Sequence, residues 1–411
     1  VKPTVLIATS CRWLSTARLS IALDDAHFSV KAVCPPSHPL EKVKAVQQTF
    51  VYSGLMPLSS LKQAILASQP DIVIPGDDGV VRQLHTLYDR EQAKGRAGAP
   101  ICALIERSMG AAECFPVVYS RAQFMALAEK EGVPVPKTQT INDLSELRAL
   151  GSRMGYPLVL KANGTSGGEG VRVVHTEPQA ESAFRKLQAP PIVAKVAKRV
   201  LIDRDTTLVL PMLYRRRSGV SAQTYIPGRE ATSLVACWKG AVLAALHFEV
   251  LNKLDATGPA SVVRVIDHPD MTFAAEKMVR RLNLSGLHGF DFMLEAQSGN
   301  AYLIEINPRT TQVGHLRLGP GRDLPAALHA AISGTVINET LKVTDNDTIA
   351  FFPNELVRNP ASSFLQSGFH DVPWQEPDLV RVSLQKQRRW KAGFARGKWS
   401  EIFSEVKIPR S

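Results

Sequence analysis

The chain has 411 residues, with 49 lysines and arginines against 38 aspartates and glutamates, a formal charge of +11. Hydrophobic residues make up 45% and charged residues 21%, which excludes collagen-like, disordered and disulfide-scaffold chains. The length implies two to three domains and a large buried core.

No apolar run reaches the roughly 20 residues of a membrane-spanning helix, and Val1-Lys-Pro-Thr-Val-Leu-Ile-Ala8 reads as a strand without a signal-peptide layout. Cys11, Cys34, Cys102, Cys114 and Cys237 are scattered and form no CxxC pair. That argues against zinc or a disulfide framework and for a reducing, cytoplasmic setting. The basic excess suits nucleic acid, an anionic membrane or anionic small molecules. Residues 381–411 carry +7 of it. With Trp390, Phe394, Trp399 and Phe403 they form a basic, aromatic helix, expected to dock by its aromatic face rather than to bind nucleic acid or membrane.

In chain order, apolar runs at 4–9, 28–34 and 71–75 alternate with helical stretches at 14–24 and 58–68. Short buried-type strands separated by helices predict a Rossmann-like α/β unit with a parallel sheet, over 1–116. Gly76-Asp-Asp-Gly79 follows the last of these strands. It is either a ligand-facing loop at the strand's carboxyl end or a helix N-cap. A helix over 121–132 ends at Gly132-Val-Pro-Val-Pro136. From 156 to about 335 the pattern is α+β, and 336–411 is a C-terminal extension.

Ala162-Asn-Gly-Thr-Ser-Gly-Gly-Glu-Gly170 joins two strands, 157–161 and 171–174. So much glycine costs backbone entropy, and the usual return is close approach of backbone N–H groups to an anion. Ser166, Gly167, Gly168 and Gly170 are then phosphate-covering residues, with Lys161 as the point charge. The alternative is a long surface hairpin with a solvated lysine.

Gly289-Phe-Asp-Phe-Met-Leu-Glu295 and Ala301-Tyr-Leu-Ile-Glu-Ile-Asn307 read as a β-hairpin. Glu305 and Asn307 share a face. Setting Asp291 opposite Glu305 puts Phe290, Phe292, Ile304 and Ile306 on the other face, and needs an odd-numbered turn or a bulge. Two carboxylates and an amide oxygen on one face suit Mg²⁺ or Mn²⁺. The alternative is a solvated polar face. Asn307-Pro-Arg309 adds a guanidinium beside the acidic pair.

These two segments resemble the lysine strand with its phosphate-covering loop, and the metal-binding hairpin, of the ATP-grasp superfamily. The style is that of single modules of biotin carboxylase and the carbamoyl phosphate synthase large chain, and of carboxylate–amine ligases. The likeness covers roughly 115–335 and implies an ATP-grasp domain over 117–335 with a lid subdomain at about 135–222. It also implies ATP and Mg²⁺ as cofactors, with Arg121 and Lys161 on the phosphates. Gln223, Tyr225 and Ile226 then form the adenine hinge, and Glu230 takes the ribose hydroxyls. Asp291, Glu305 and Asn307 hold the metals, and Lys161 and Arg309 are catalytic. Arg264 and His315 are weaker substrate candidates. Arg264 is otherwise an exposed strand residue, and His315 a hydrogen-bonded structural histidine. The implied activity is ADP-forming ligation of a small carboxylate to an amine or thiol through an acyl phosphate. Phosphorylation of bicarbonate and nucleotide binding without turnover are the alternatives. A homodimer is the default assembly. Lys195–Ser218 is longer and more basic than the family's connection, and the carboxylases' substrate segment has no clear match near Asn252–Arg264.

Overall fold

The computed structural model describes residues 2–162, 170–189, 219–256, 258–335 and 342–391. The first sheet contains β1 (Thr4–Ala8), β2 (Ser29–Cys34), β3 (Val46–Val51) and β4 (Ile72–Pro75), ordered β3-β2-β1-β4 and all parallel. Leu6 and Ile7 point to opposite faces, and both are fully buried. This is why β1 reads as a continuous apolar run. β3, Val46-Gln-Gln-Thr-Phe-Val51, is a polar edge strand with one neighbour. Its composition hides it from apolar-run reasoning, and polar residues suit an unpaired edge.

A second, antiparallel sheet contains β5 (Thr138–Ile141), β6 (Leu158–Ala162), β7 (Val171–Val174) and β8 (Val220–Thr224), ordered β5-β8-β6-β7. Helices 144–154 and 177–188 cover one face, where Leu147, Leu150 and Phe184 pack on Leu158 and Leu160. Asp143 and Thr176 cap these helices by accepting from the backbone N–H groups of Glu146 and Gln179.

The central sheet has seven strands: β9 (Gly228–Trp238), β10 (Ala241–Lys253), β11 (Ala260–Val265), β12 (Gly286–Glu295), β13 (Ala301–Asn307), β14 (Thr348–Phe351) and β15 (Phe369–Asp371). Their order is β13-β12-β9-β10-β11-β14-β15. Only β14 and β15 pair in parallel. The segment beyond 336, expected as an extension, thus adds two strands to this sheet. Its helix 377–391 packs Val380 and Leu384 against Phe352 and Leu356. The tail's remaining aromatic residues, Phe394, Trp399 and Phe403, lie outside the described residues, as do Lys195–Ser218.

The central sheet has two apolar faces. On one, Leu234, Ala236, Phe248 and Val263 join Val5, Ile7 and Ala32 of the parallel sheet in a single core. On the other, Phe290, Phe292 and Ile306 meet Met271 and Met278 of helix 269–281 and Phe124 of helix 121–130. The first core fixes the parallel sheet against the sheet that carries the acidic hairpin. Leu234 is fully buried there. Leu234→Ala is expected to remove about 2–5 kcal/mol of stability, read as a lower urea midpoint. A loss below about 1 kcal/mol would contradict a core shared by the two sheets.

Candidate active site

A cleft of about 980 Å³ is lined by residues of β6, β8, β9, β12 and β13, by the loop after β1, and by residues beyond 350. Its acidic floor is the β12–β13 hairpin. Asp291 lies directly opposite Glu305, and Phe290 opposite Ile306. Leu294 pairs with Ala301 and Glu295 N donates to the Asn300 carbonyl, so the turn between them, residues 296–299, is even in length. The expected parity change comes from a bulge instead, at Ile304 rather than in the turn. Phe292 therefore pairs with Leu303, and Leu294 with Ala301, one residue short of simple counting. Asp291 accepts from Thr232 Oγ1 at 2.9 Å and from Asn307 Nδ2 at 2.8 Å. Burial, then repulsion by Glu305, pushes its carboxyl up to about 6.

Two cations face this pair. Arg121, at the start of its helix, donates from Nη2 to Glu305 Oε1 at 2.6 Å. Its Nε and Nη1 are buried and have no hydrogen-bond partner among the described residues. Lys161 on β6 reaches across from the second sheet. Its Nζ lies 3.5 Å from the carbonyl oxygen of Ile304, the bulged residue. Burial pulls its ammonium down to about 8, while Glu305 pulls the other way. Gly170 closes the base of the glycine loop, accepting from Ala162 N at 2.8 Å. Ser166, Gly167 and Gly168 lie outside the described residues.

Tyr225 and Ile226 line the cleft where β8 passes into β9. Gln223 lines the cleft too, and its buried side chain donates from Nε2 to Thr138 Oγ1 on β5 at 2.9 Å. Glu230 also lines the cleft and pairs with Lys253 Nζ at 2.6 Å.

Arg309 is held on three sides. Nε donates to Asp78 Oδ1 at 3.0 Å, Nη2 to Asn307 Oδ1 at 3.1 Å, and Nη1 to the Thr310 carbonyl at 3.2 Å. Its guanidinium lies 4.8 Å from the Trp13 ring centroid. Of the two readings of Gly76-Asp-Asp-Gly79, the helix N-cap is there, and the segment also reaches the cleft. Asp77 caps helix 78–92, accepting from Val80 N, and it also takes Thr9 Oγ1 and Ser10 N and Oγ. Asp78 faces the cleft.

His315 lines the cleft and is hydrogen-bonded as well. Its Nε2 lies 2.7 Å from Asp371 Oδ2, and Asp371 is also salt-bridged to Arg18. Burial pushes Asp371 up, but His315 and Arg18 outweigh it and hold the carboxyl below its ordinary value. Arg264 stands apart. It is exposed, it alternates with Val263 and Val265 of the first core, and it lies opposite Glu249 in the register. The structure therefore sets it on the face away from Asp291, outside the cleft.

Trp13, Arg18, Asp78 and Asp371 escaped the sequence. They belong to a loop, two helices and a strand end that meet the hairpin only in three dimensions. The one available signal was Asp78, inside a singled-out motif.

The family model for the ATP-grasp domain matches residues 121–313. That stretch of the chain is therefore similar to the ATP-grasp domain, and it contains both Lys161 and the acidic hairpin, which face each other across this cleft. Among solved structures, the chain is similar to the biotin carboxylase domain of Hydrogenobacter thermophilus 2-oxoglutarate carboxylase. The identity is 16%, covering 82% of this chain and 71% of that one, with a TM-score of 0.55; that structure is a dimer with MgADP, ADP and bicarbonate. It is also similar to N5-carboxyaminoimidazole synthase of Aspergillus clavatus, solved with ADP and 5-aminoimidazole ribonucleotide. Here the identity is 15%, covering 83% and 79%, with a TM-score of 0.57. A third is N5-carboxyaminoimidazole synthetase of Staphylococcus aureus with ADP, at 14% identity, covering 82% and 80%, with a TM-score of 0.56. At these identities the likeness establishes the fold. No helix among the described residues is long and apolar enough to cross a membrane.

Burial keeps several histidines neutral. His85, His247 and His288 are each pulled down to about 4, and His315 is lowered too, by burial against the pull of Asp371. An unfolded chain takes up these protons near 6.5, the folded chain only well below. Acidification through that window therefore favours the unfolded state. The melting temperature is expected to fall steadily from pH 7 to pH 5; a constant value would contradict the burial of these rings.

Proposed function

We propose that the protein is an ADP-forming ligase that joins a carboxylate to an amine through an acyl phosphate. The observation that carries this is Arg121: a buried guanidinium beside the acidic pair, with two nitrogens left unpartnered among the described residues. A buried donor without a partner is costly, and a nucleotide phosphate would satisfy it. The donor set suits Mg²⁺. Asp291, Glu305 and Asn307 would hold it, and no cluster of three or more acidic, histidine or cysteine ligands forms among the described residues. Magnesium takes few protein ligands and completes its shell with phosphate oxygens and water. Bound there, it would neutralise charge as the γ-phosphoryl group moves.

The chain's residues then divide the work. Lys161 and Arg121 hold the phosphates on the side opposite the hairpin. Tyr225 and Ile226 border the nucleotide base, and Glu230 takes the ribose once it exchanges Lys253 for hydroxyl groups. A substrate carboxylate oxygen attacks the γ-phosphorus, and the bond to ADP breaks. The amine then attacks the acyl carbon, phosphate leaves, and the amine sheds a proton. Arg309, immobilised by Asp78, Asn307 and Trp13, offers fixed N–H groups to the anion formed. Such a site catalyses by position and charge and needs no serine or cysteine nucleophile.

A second reading, phosphorylation of bicarbonate, is favoured by the fold likeness to a biotin carboxylase solved with bicarbonate. ATP turnover stimulated by bicarbonate, and by no acid–amine pair, would select it.

Glu305→Gln keeps the size of the side chain and removes its charge. It is expected to lower substrate-dependent ADP release by at least about 100-fold, or roughly 3 kcal/mol of transition-state stabilisation. ADP release at the wild-type rate would sink the metal assignment.

A further inference from the structure

Beyond Arg309 the cleft changes character. The nucleotide end is acidic and basic in turn, whereas the far end is walled by Trp13, Leu14, Val313, Phe352 and Val382. These side chains come from three separate stretches: the loop after β1, the loop after β13, and the segment beyond 350. Trp13, Leu14 and Val382 are only partly buried, so they present apolar surface to the cleft. Among the described residues, the other exposed aromatic side chains in the cleft belong to its nucleotide end.

The charges at this far end are largely committed. Arg12, which also lines it, donates from Nη2 to the Pro36 carbonyl. Arg18 uses Nη1 and Nη2 on the Asp371 carbonyl and carboxylate. Asp371 also binds His315. Arg309 uses three of its five N–H donors on Asp78, Asn307 and Thr310, which leaves two. A phosphate group needs several uncommitted donors. A carboxylate is matched by the two that Arg309 retains. The whole cleft, at about 980 Å³, stands at the upper end of the roughly 300–1,000 Å³ of small-molecule sites, so a nucleotide and a second ligand fit together.

We infer that this far end binds the acid to be ligated, and that the acid carries one carboxylate on an aromatic or branched aliphatic body, without phosphate. The inference rests on the ligase proposal for the reason the acid is there. Trp13 has two roles in it: its ring stacks on the Arg309 guanidinium, and its edge forms the wall for the apolar body. Trp13 is thereby a specificity-determining residue.

The test is calorimetric titration of the full chain carrying the β,γ-imido analogue of ATP with Mg²⁺. The acids are phenylacetate, L-phenylalanine and L-leucine, against glycine, L-aspartate and ribose 5-phosphate. At least one apolar acid is expected to bind about tenfold or more tightly than glycine. Trp13→Ala should weaken that acid by about tenfold, and Trp13→Phe by less than about threefold. Val382→Asp, which sets a carboxylate in the apolar wall, should weaken it as well, and both variants are checked for an unchanged melting temperature. Tightest binding of ribose 5-phosphate or aspartate would overturn the inference. So would failure of every apolar acid to bind at about 10 mM, or equal weakening of all acids by Trp13→Ala. Turnover separates the two claims. Apolar acids that bind as expected but give no ADP with any amine sink the ligase proposal and leave the pocket standing. ADP release supported only by polar or phosphorylated acids does the reverse.

Discussion

Two carboxylates set directly opposite one another, Asp291 and Glu305, are the constraint around which the rest of the cleft is arranged. Burial, with repulsion by Glu305 added to it, pushes Asp291 up to about 6. The fold brings countercharge from two directions. Arg121 approaches from the helix that leads into the domain, and Lys161 from a different sheet. An arrangement that depends on charges from separate elements fixes how those elements must sit. The hydrophobic layer behind the hairpin, Phe290, Phe292 and Ile306 on the two methionines of helix 269–281, supplies the rigidity that such charges require.

The hairpin and the lysine strand were legible because alternation and register are local properties. Counting along β12 and β13 places Asp291 against Glu305 without any knowledge of the fold. It misplaces the pairs beyond Ile304, because a bulge is decided by what the neighbouring elements need. Here the bulged residue's carbonyl meets Lys161, a residue of another sheet. The parallel sheet was legible for the same reason: its buried strands are continuous apolar runs. β3 was not, since an edge strand facing water carries no such run.

What the sequence hid is what tertiary contact creates. Arg264 and His315 looked equally eligible as substrate contacts. Register separates them: Arg264 falls on the face of the central sheet away from the acidic pair, whereas His315 is turned into the cleft and tied to Asp371. Trp13 and Asp371 lie more than 350 residues apart in the chain and border one cleft. Neither carries a motif, and each acquires its role from its neighbours. The resemblance to a family supplied the hairpin and the lysine strand, where motifs are long. At the far end, drawn from a loop, two helices and a late strand, it supplied only Arg309 and His315.

The ion pair between Arg18 and Asp371 joins the first helix of the chain to the last strand of the central sheet. A ribosome delivers Arg18 353 residues before Asp371. Arg18 and His315 must therefore wait, already placed by their own cores, until Asp371 emerges and β15 docks beside β14. The cleft is thus completed last at the end farthest from Lys161. A partly made chain can build the acidic hairpin with Arg121 and Lys161 before Asp371 ties Arg18 to His315. The order in which the polypeptide appears makes β15 the strand whose arrival closes that end of the cleft.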